Sequence, residues 1–151
     1  MTKVLFVCLH NAARSRMAEA LLLRLGGSRF EVTSAGFEPQ PANPLVVEAL
    51  AEIGLTLRST EPQPSIFDLY RAGRLFHHVI SVCDYEHGER CPIFPGVPRQ
   101  LRWSFPDPST FAGSRADRLA STIAVRDAIQ AHIAAWLRTL PVNDPTALQR
   151  T

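Results

Sequence analysis

The chain has 151 residues, 46% hydrophobic and 20% charged, with a formal net charge of +2 at pH 7. That length suits one domain with a real core, and the composition is that of a globular protein. The charge is too small to argue for a nucleic-acid or membrane-surface partner, no basic run or aromatic platform adds to it, and no apolar stretch is long enough for a membrane span.

The opening MTKVLFVCLHN lacks the form of a signal peptide, because VLFVCL is short and no small-residue cleavage site follows. Three cysteines, an odd number, argue against a secreted disulfide framework and favour a reducing, cytoplasmic setting. There cysteines either carry chemistry or sit as inert buried hydrophobes, and composition leaves both readings open.

Residues 3–8 (KVLFVC) are apolar without alternation, which predicts a strand buried on both faces of a parallel sheet. Residues 14–26 follow as a helix, with Met17, Leu21 and Leu25 on one face and Gly26-Gly27 at its end. FEVTSAG (30–36) reads as a second strand. After the proline-rich EPQPANP, Asn43 and Pro44 predict the start of a helix with Leu45, Ala49, Leu50 and Ile53 inward and Gly54 as its stop. A short helix is expected over 65–73, a third strand over 77–83, and a short fourth strand near 100–104 within a proline-rich loop (84–113). The longest helix runs from Ser114 to about Leu137. Its strip Leu119, Thr122, Val125, Ile129, Ile133, Trp136 and Leu140 should face the sheet. Residues 1–140 thus form one domain and 141–151 a loose tail. The β-α-β-α order predicts an α/β sandwich on a mostly parallel sheet, with Cys8 and Cys83 at the carboxyl edge where ligands bind.

Between the first strand and first helix lies Cys8-Leu9-His10-Asn11-Ala12-Ala13-Arg14-Ser15. A loop entering a helix N-terminus offers unpaired amides to an anion. Asn11, Ala12 and Ala13 are small enough to curl around a tetrahedral oxyanion, and Arg14 can fork onto two of its oxygens. The same positive field favours a nucleophilic thiolate at Cys8, and Ser15 can donate a hydrogen bond to the sulfur. Glycine-rich nucleotide loops are absent from the sequence.

CLHNAARSRMAEA (8–20), SAG (34–36), ANPLVVEALAEIGL (42–55), VISVCD (79–84), CPIFPG (91–96) and WSFPDPS (103–109) together resemble the low-molecular-weight protein tyrosine phosphatase fold family, and within it the cysteine-based, thioredoxin-coupled arsenate reductases. The resemblance implies a four-stranded parallel sheet flanked by helices on both faces and no bound cofactor. It implies Cys8 as nucleophile, Arg14 as oxyanion clamp and Asp107 as general acid. On residue chemistry alone Asp107-Pro108 reads as a turn, and the resemblance is what favours the acid role. The resemblance further implies a relay. Cys8 forms an adduct with arsenate, Cys83 attacks Cys8 and releases arsenite, and Cys91 attacks Cys83. The resulting Cys83–Cys91 disulfide is then reduced by thioredoxin, or by glutaredoxin with glutathione, or by mycothiol. Asn11, Glu19 and Ser34 match potassium-binding positions in some of these reductases, against solvent-facing and capping roles as the default. Nothing in the sequence demands more than a monomer.

The sequence departs from the family in places. Seven residues separate Cys83 from Cys91, one more than in the best-known thioredoxin-coupled members. His10 stands where the phosphatases usually have glycine, and Ala13 replaces a second loop cysteine. The acid loop lacks the tyrosines that usually follow its Asp-Pro, which argues against a phosphotyrosine substrate. Three rival readings stand beside the reductase: a phosphomonoester phosphatase using Cys8, Arg14 and Asp107, a thiol-based sensor without turnover, and a zinc site at Cys83, His87 and Cys91. His77 and His78 read as surface and core respectively.

Overall fold

The computed structural model describes residues 1–89 and 100–141. Cys91 and nearly all of the expected tail lie outside them. Strands β1 (Thr2–Cys8), β2 (Phe30–Gly36), β3 (His78–Ser81) and β4 (Gln100–Arg102) form one parallel sheet in the order β2-β1-β3-β4. Among the described residues four helices accompany it: α1 (Arg14–Gly26), α2 (Pro44–Glu52), α3 (Ile66–Arg71) and α4 (Arg115–Thr139).

β1 is central, and its lack of alternation has the expected cause. Val4, Phe6 and Cys8 join one core with Met17, Leu21 and Leu22 of α1, Val46 and Leu50 of α2, and Val125, Ile129 and Ile133 of α4. Leu5 and Val7 join a second core on the opposite face with Ile66 and Leu69 of α3. Burying a side chain such as Phe6 or Leu21 contributes about 1.5–3 kcal/mol. The α4 strip is buried at Thr122, Val125, Ile129, Ile133 and Trp136, while Leu119 and Leu140 are half-buried at its ends.

Local signals set the helix boundaries. Asn43 caps α2 by accepting from the Leu45 amide at 2.9 Å. Ser65 and Ser114 each form a capping box, with Asp68 and Asp117 three residues on. Gly27, at φ 59°, ends α1 in a conformation that glycine adopts without strain. The third strand is shorter than predicted. Beyond Ser81 the chain still pairs through the Val82 amide to the Val7 carbonyl, but Cys83 and Asp84 already turn away into a 3-10 turn at Tyr85–His87. His77 is exposed, as read from the sequence, and takes the Lys3 amide on its Nδ1, whereas His78, expected in the core, is only half-buried because it opens the strand, edge-on to Trp136.

Candidate active site

The loop after β1 wraps around the Cys8 sulfur. The Asn11 amide donates to Cys8 Sγ at 3.2 Å, and Ser15 Oγ lies 2.9 Å from the same sulfur. Asn11 has φ 52°, in the left-handed region that asparagine tolerates better than most residues, and its Nδ2 donates to Ser15 Oγ at 2.7 Å. β2 makes room for this curl. A methyl group on Gly36 would stand 2.9 Å from the Asn11 amide nitrogen and from the His10 carbonyl carbon. The Leu9 carbonyl also accepts from the Phe37 and Glu38 amides, tying the loop to the end of β2.

The start of α1 lacks a side-chain cap and an acidic residue in its first turn, so its dipole is left to act on the loop. Arg16 is buried, with Nε on the Asn11 carbonyl at 2.6 Å and its two Nη atoms on the carbonyls of Ser59, Gln40 and Glu61. It ties the Asn11 peptide to two neighbouring segments. Burial lowers its pKa, opposed by the fields of Glu19 and Cys8.

Arg14 is only 3% exposed. Its Nη1 donates to the Phe105 carbonyl at 3.2 Å, and its Nη2 is 3.5 Å from Asp107 Oδ2. The Arg14 Nε is buried with no partner among the described residues. Both Nη atoms also meet Glu89, a residue the sequence reading did not single out, at 2.6 and 2.9 Å. Burial works against the guanidinium charge, but the Glu89 hydrogen bond and the fields of Cys8, Asp107 and Glu89 outweigh it and raise its pKa.

The two oxygens of Asp107 meet different partners, and the turn read from the sequence is one of them. Oδ1 accepts the Ser109 amide at 2.9 Å and caps the 3-10 turn Pro108–Thr110, while Oδ2 faces Arg14. A cavity of about 40 Å³ is lined by Cys8, His10, Ala12, Ala13, Arg14, Gln40, Asn43, Asp107 and Ser109. Cys8, other loop residues, Arg14 and Asp107 therefore line one small space.

Cys8 is a free thiol, and Cys83 is disulfide-bonded. Both belong to the same buried cluster at the carboxyl ends of adjacent strands. The zinc reading loses ligands: Cys83 is committed to a disulfide, and His87 Nδ1 lies 2.8 Å from Asp84 Oδ1. Among the described residues no three His, Cys, Asp or Glu groups are placed to hold a metal ion.

The potassium candidates are also engaged. Ser34 Oγ donates to Glu19 at 3.4 Å, and Arg58 Nη2 contacts both Glu19 oxygens at 3.1 and 3.2 Å. Burial pushes the Glu19 carboxyl up, against Arg58. Asn11 Oδ1 is buried with no partner among the described residues. Since a guanidinium already balances the carboxylate, the fit to potassium is poor.

A family model described as low molecular weight phosphotyrosine protein phosphatase matches residues 3–146. An arsenate reductase of Bacillus licheniformis is 31% identical over 139 residues, covering 90% of this chain and 95% of that protein. Another, of Shouchella clausii, is 29% identical over 136 residues, with 90% and 95% covered. Among solved structures, a thioredoxin-dependent arsenate reductase of Corynebacterium glutamicum is 31% identical with a TM-score of 0.64, covering 92% of this chain and 60% of that one. An arsenate reductase in a phosphate-binding state has a TM-score of 0.71 and covers 93% and 100%. At 24% identity this is a likeness of fold alone.

Proposed function

The chain belongs to the low-molecular-weight phosphotyrosine protein phosphatase family, and from that premise we propose that it is an arsenate reductase working by a thiol relay. The observation that carries this reading is the division of its cysteines. A hydrolase needs only the nucleophile, yet here Cys8 stays free in the anion loop while Cys83, at the end of the neighbouring strand, is in a disulfide. Curated relatives of similar length named arsenate reductase support it.

In the proposed reaction the Cys8 sulfur attacks arsenic while Arg14 and the loop amides hold the oxygens. Asp107 protonates the departing oxygen, which leaves as water. Cys83, as a thiolate, then attacks the Cys8 sulfur. The sulfur–arsenic bond breaks, its electron pair stays on arsenic, and arsenite leaves as a Cys8–Cys83 disulfide forms. Cys91 attacks Cys83, and Cys8 departs as a thiolate ready for the next turnover. The remaining Cys83–Cys91 pair is reduced by an external dithiol, with thioredoxin as the donor. The thioredoxin-dependent relative supports that choice.

A second reading, hydrolysis of phosphomonoesters through a Cys8 phospho-intermediate, is favoured by the family match and needs only Cys8, Arg14 and Asp107. The substitution Cys83→Ser separates the two. The reductase reading expects arsenate turnover to be lost while any aryl-phosphate hydrolysis survives. Undiminished arsenite production by that variant would sink the relay.

A further inference from the structure

A guanidinium can offer an oxyanion either of two forks, Nη1 with Nη2 or Nη2 with Nε, and burial alone does not choose between them. In Arg14 one fork is already taken. Glu89 grips Nη1 and Nη2 at 2.6 and 2.9 Å, and the Phe105 carbonyl accepts from Nη1 at 3.2 Å. Arg14 and Asp107 line the small cavity at Cys8, whereas Glu89 is not among its lining residues. Asp107 Oδ2 stands 3.5 Å from Nη2, which puts the Nη2 side of the guanidinium toward that cavity. Nε is buried and has no partner among the described residues. The fork left for an anion is therefore Nε with Nη2.

The Glu89 carboxylate is itself fixed. Its Oε2 also accepts the Asp84 amide at 2.8 Å, and the Glu89 amide donates back to the Asp84 carbonyl at 3.0 Å. Gly88, at φ 80°, turns the chain so that both contacts form. Without this carboxylate, the acidic group left beside Arg14 among the described residues is Asp107. A guanidinium turned onto Oδ2 would close Nη2 to an oxyanion and tie up the carboxylate read as the general acid.

We propose that Glu89 is a positioning residue of the oxyanion site: it pins the Nη1–Nη2 side of Arg14 and so presents the Nε–Nη2 fork to two oxygens of the anion. Glu89 acts through the arginine and does not touch the anion. A misaimed guanidinium would keep its charge but lose the bidentate geometry. The proposal rests on the oxyanion loop of the reading above, and not on arsenate reduction.

The test is a double-mutant cycle on phosphate affinity, with inorganic phosphate titrated calorimetrically into the full chain while Cys83 is kept in its disulfide. The variants are Glu89→Gln, Arg14→Lys and the two combined. If the Nε–Nη2 fork is presented in about one of ten molecules once Glu89 is neutralised, Glu89→Gln binds phosphate about tenfold more weakly than wild type. Charge alone predicts the opposite sign, because removing a carboxylate near an anion site favours the anion. In the Arg14→Lys protein there is no fork to aim, so adding Glu89→Gln should cost no further affinity. The calorimetric stoichiometry counts competent sites, which separates a loss of affinity from a loss of folded protein.

A Glu89→Gln protein that binds phosphate as tightly as wild type, or more tightly, would overturn the proposal. So would a loss of the same factor in the wild-type and Arg14→Lys backgrounds, since Glu89 would then support the surrounding turn without acting through Arg14. Either result, with phosphate binding intact in wild type, counts against Glu89 and leaves the oxyanion loop standing. No arsenite is made in this measurement, so its outcome is separate from that of the reductase assay.

Discussion

Gly36→Ala probes the anion loop without touching any group that performs chemistry. The added methyl would meet Asn11 N, Asn11 Cβ and the His10 carbonyl carbon at 2.9 Å, where ordinary contact begins at 3.4 Å. The obstructing atoms belong to the loop backbone itself, so the loop has to retreat by about half an ångström. That stretches the hydrogen bond from the Asn11 amide to the Cys8 sulfur, now 3.2 Å. Overpacking of this kind costs about 1–3 kcal/mol of stability. A 1 Å misplacement of reacting groups costs about a hundredfold in rate, so half of that should lower kcat/KM for arsenate by about tenfold. Gly26→Ala is the control. Its methyl would press on the Phe30 ring at the opposite end of α1. It should lose stability in urea while phosphate affinity and kcat/KM stay at the wild-type level. If Gly36→Ala loses stability yet binds phosphate and turns over arsenate like wild type, the loop is not held by this close approach and the reasoning fails.

Arg16→Met should destabilise the protein by about 2–4 kcal/mol in a urea titration, because buried carbonyls lose charge-assisted partners, and it should weaken phosphate binding by freeing the Asn11 peptide. Unchanged phosphate affinity would show that Arg16 ties the surrounding segments without shaping the loop. Ser114→Ala removes the α4 capping box and should cost about 1 kcal/mol, read as a lower Tm with unchanged phosphate affinity. For pH dependence, burial depresses His78 and His132 below the ordinary value of 6.5. Between the folded and unfolded values the unfolded chain binds more protons. Their neutral forms therefore contribute stability that is full above pH 6.5 and declines as pH falls through the folded values. Replacing both by glutamine should flatten stability against pH in that acidic window. A slope unchanged from wild type would contradict it.

The parts of the fold legible in the sequence are those set by local chemistry. The apolar run of β1, the α4 strip, and the Asn43, Ser65 and Ser114 starts each announce themselves through burial or through the capping needs of a helix end. Cys8, Asn11, Arg14 and Ser15 are legible as a group for the same reason, being close in sequence with their placement fixed by one turn. Glu89 was not, because its meeting with Arg14 spans 75 residues and depends on the turn after Cys83. Arg16 was missed because a basic residue in a helix pattern reads as solvent-facing. Its burial comes from carbonyls at Gln40, Ser59 and Glu61, distant in sequence. The one sign of it was a third polar residue following Arg14 and Ser15 where an apolar stripe would begin. Asp107 shows a different limit. The turn is local and legible in Asp-Pro, and Oδ1 serves it, whereas the approach of Oδ2 to Arg14 depends on residues far apart in sequence. The third strand was read too long because VISVC is apolar throughout, and burial there continues past the last strand residue into Val82 and Cys83.

The central claim is that the electrons for arsenate come from this chain's own thiols. Its most direct measurement is disulfide mapping by mass spectrometry after fully reduced protein meets an equimolar amount of arsenate, with free thiols blocked at the end of a single turnover. The account predicts arsenite in solution, Cys8 recovered as a blocked thiol, and Cys83 joined to Cys91. Arsenite formed while Cys83 remains a free thiol would contradict it.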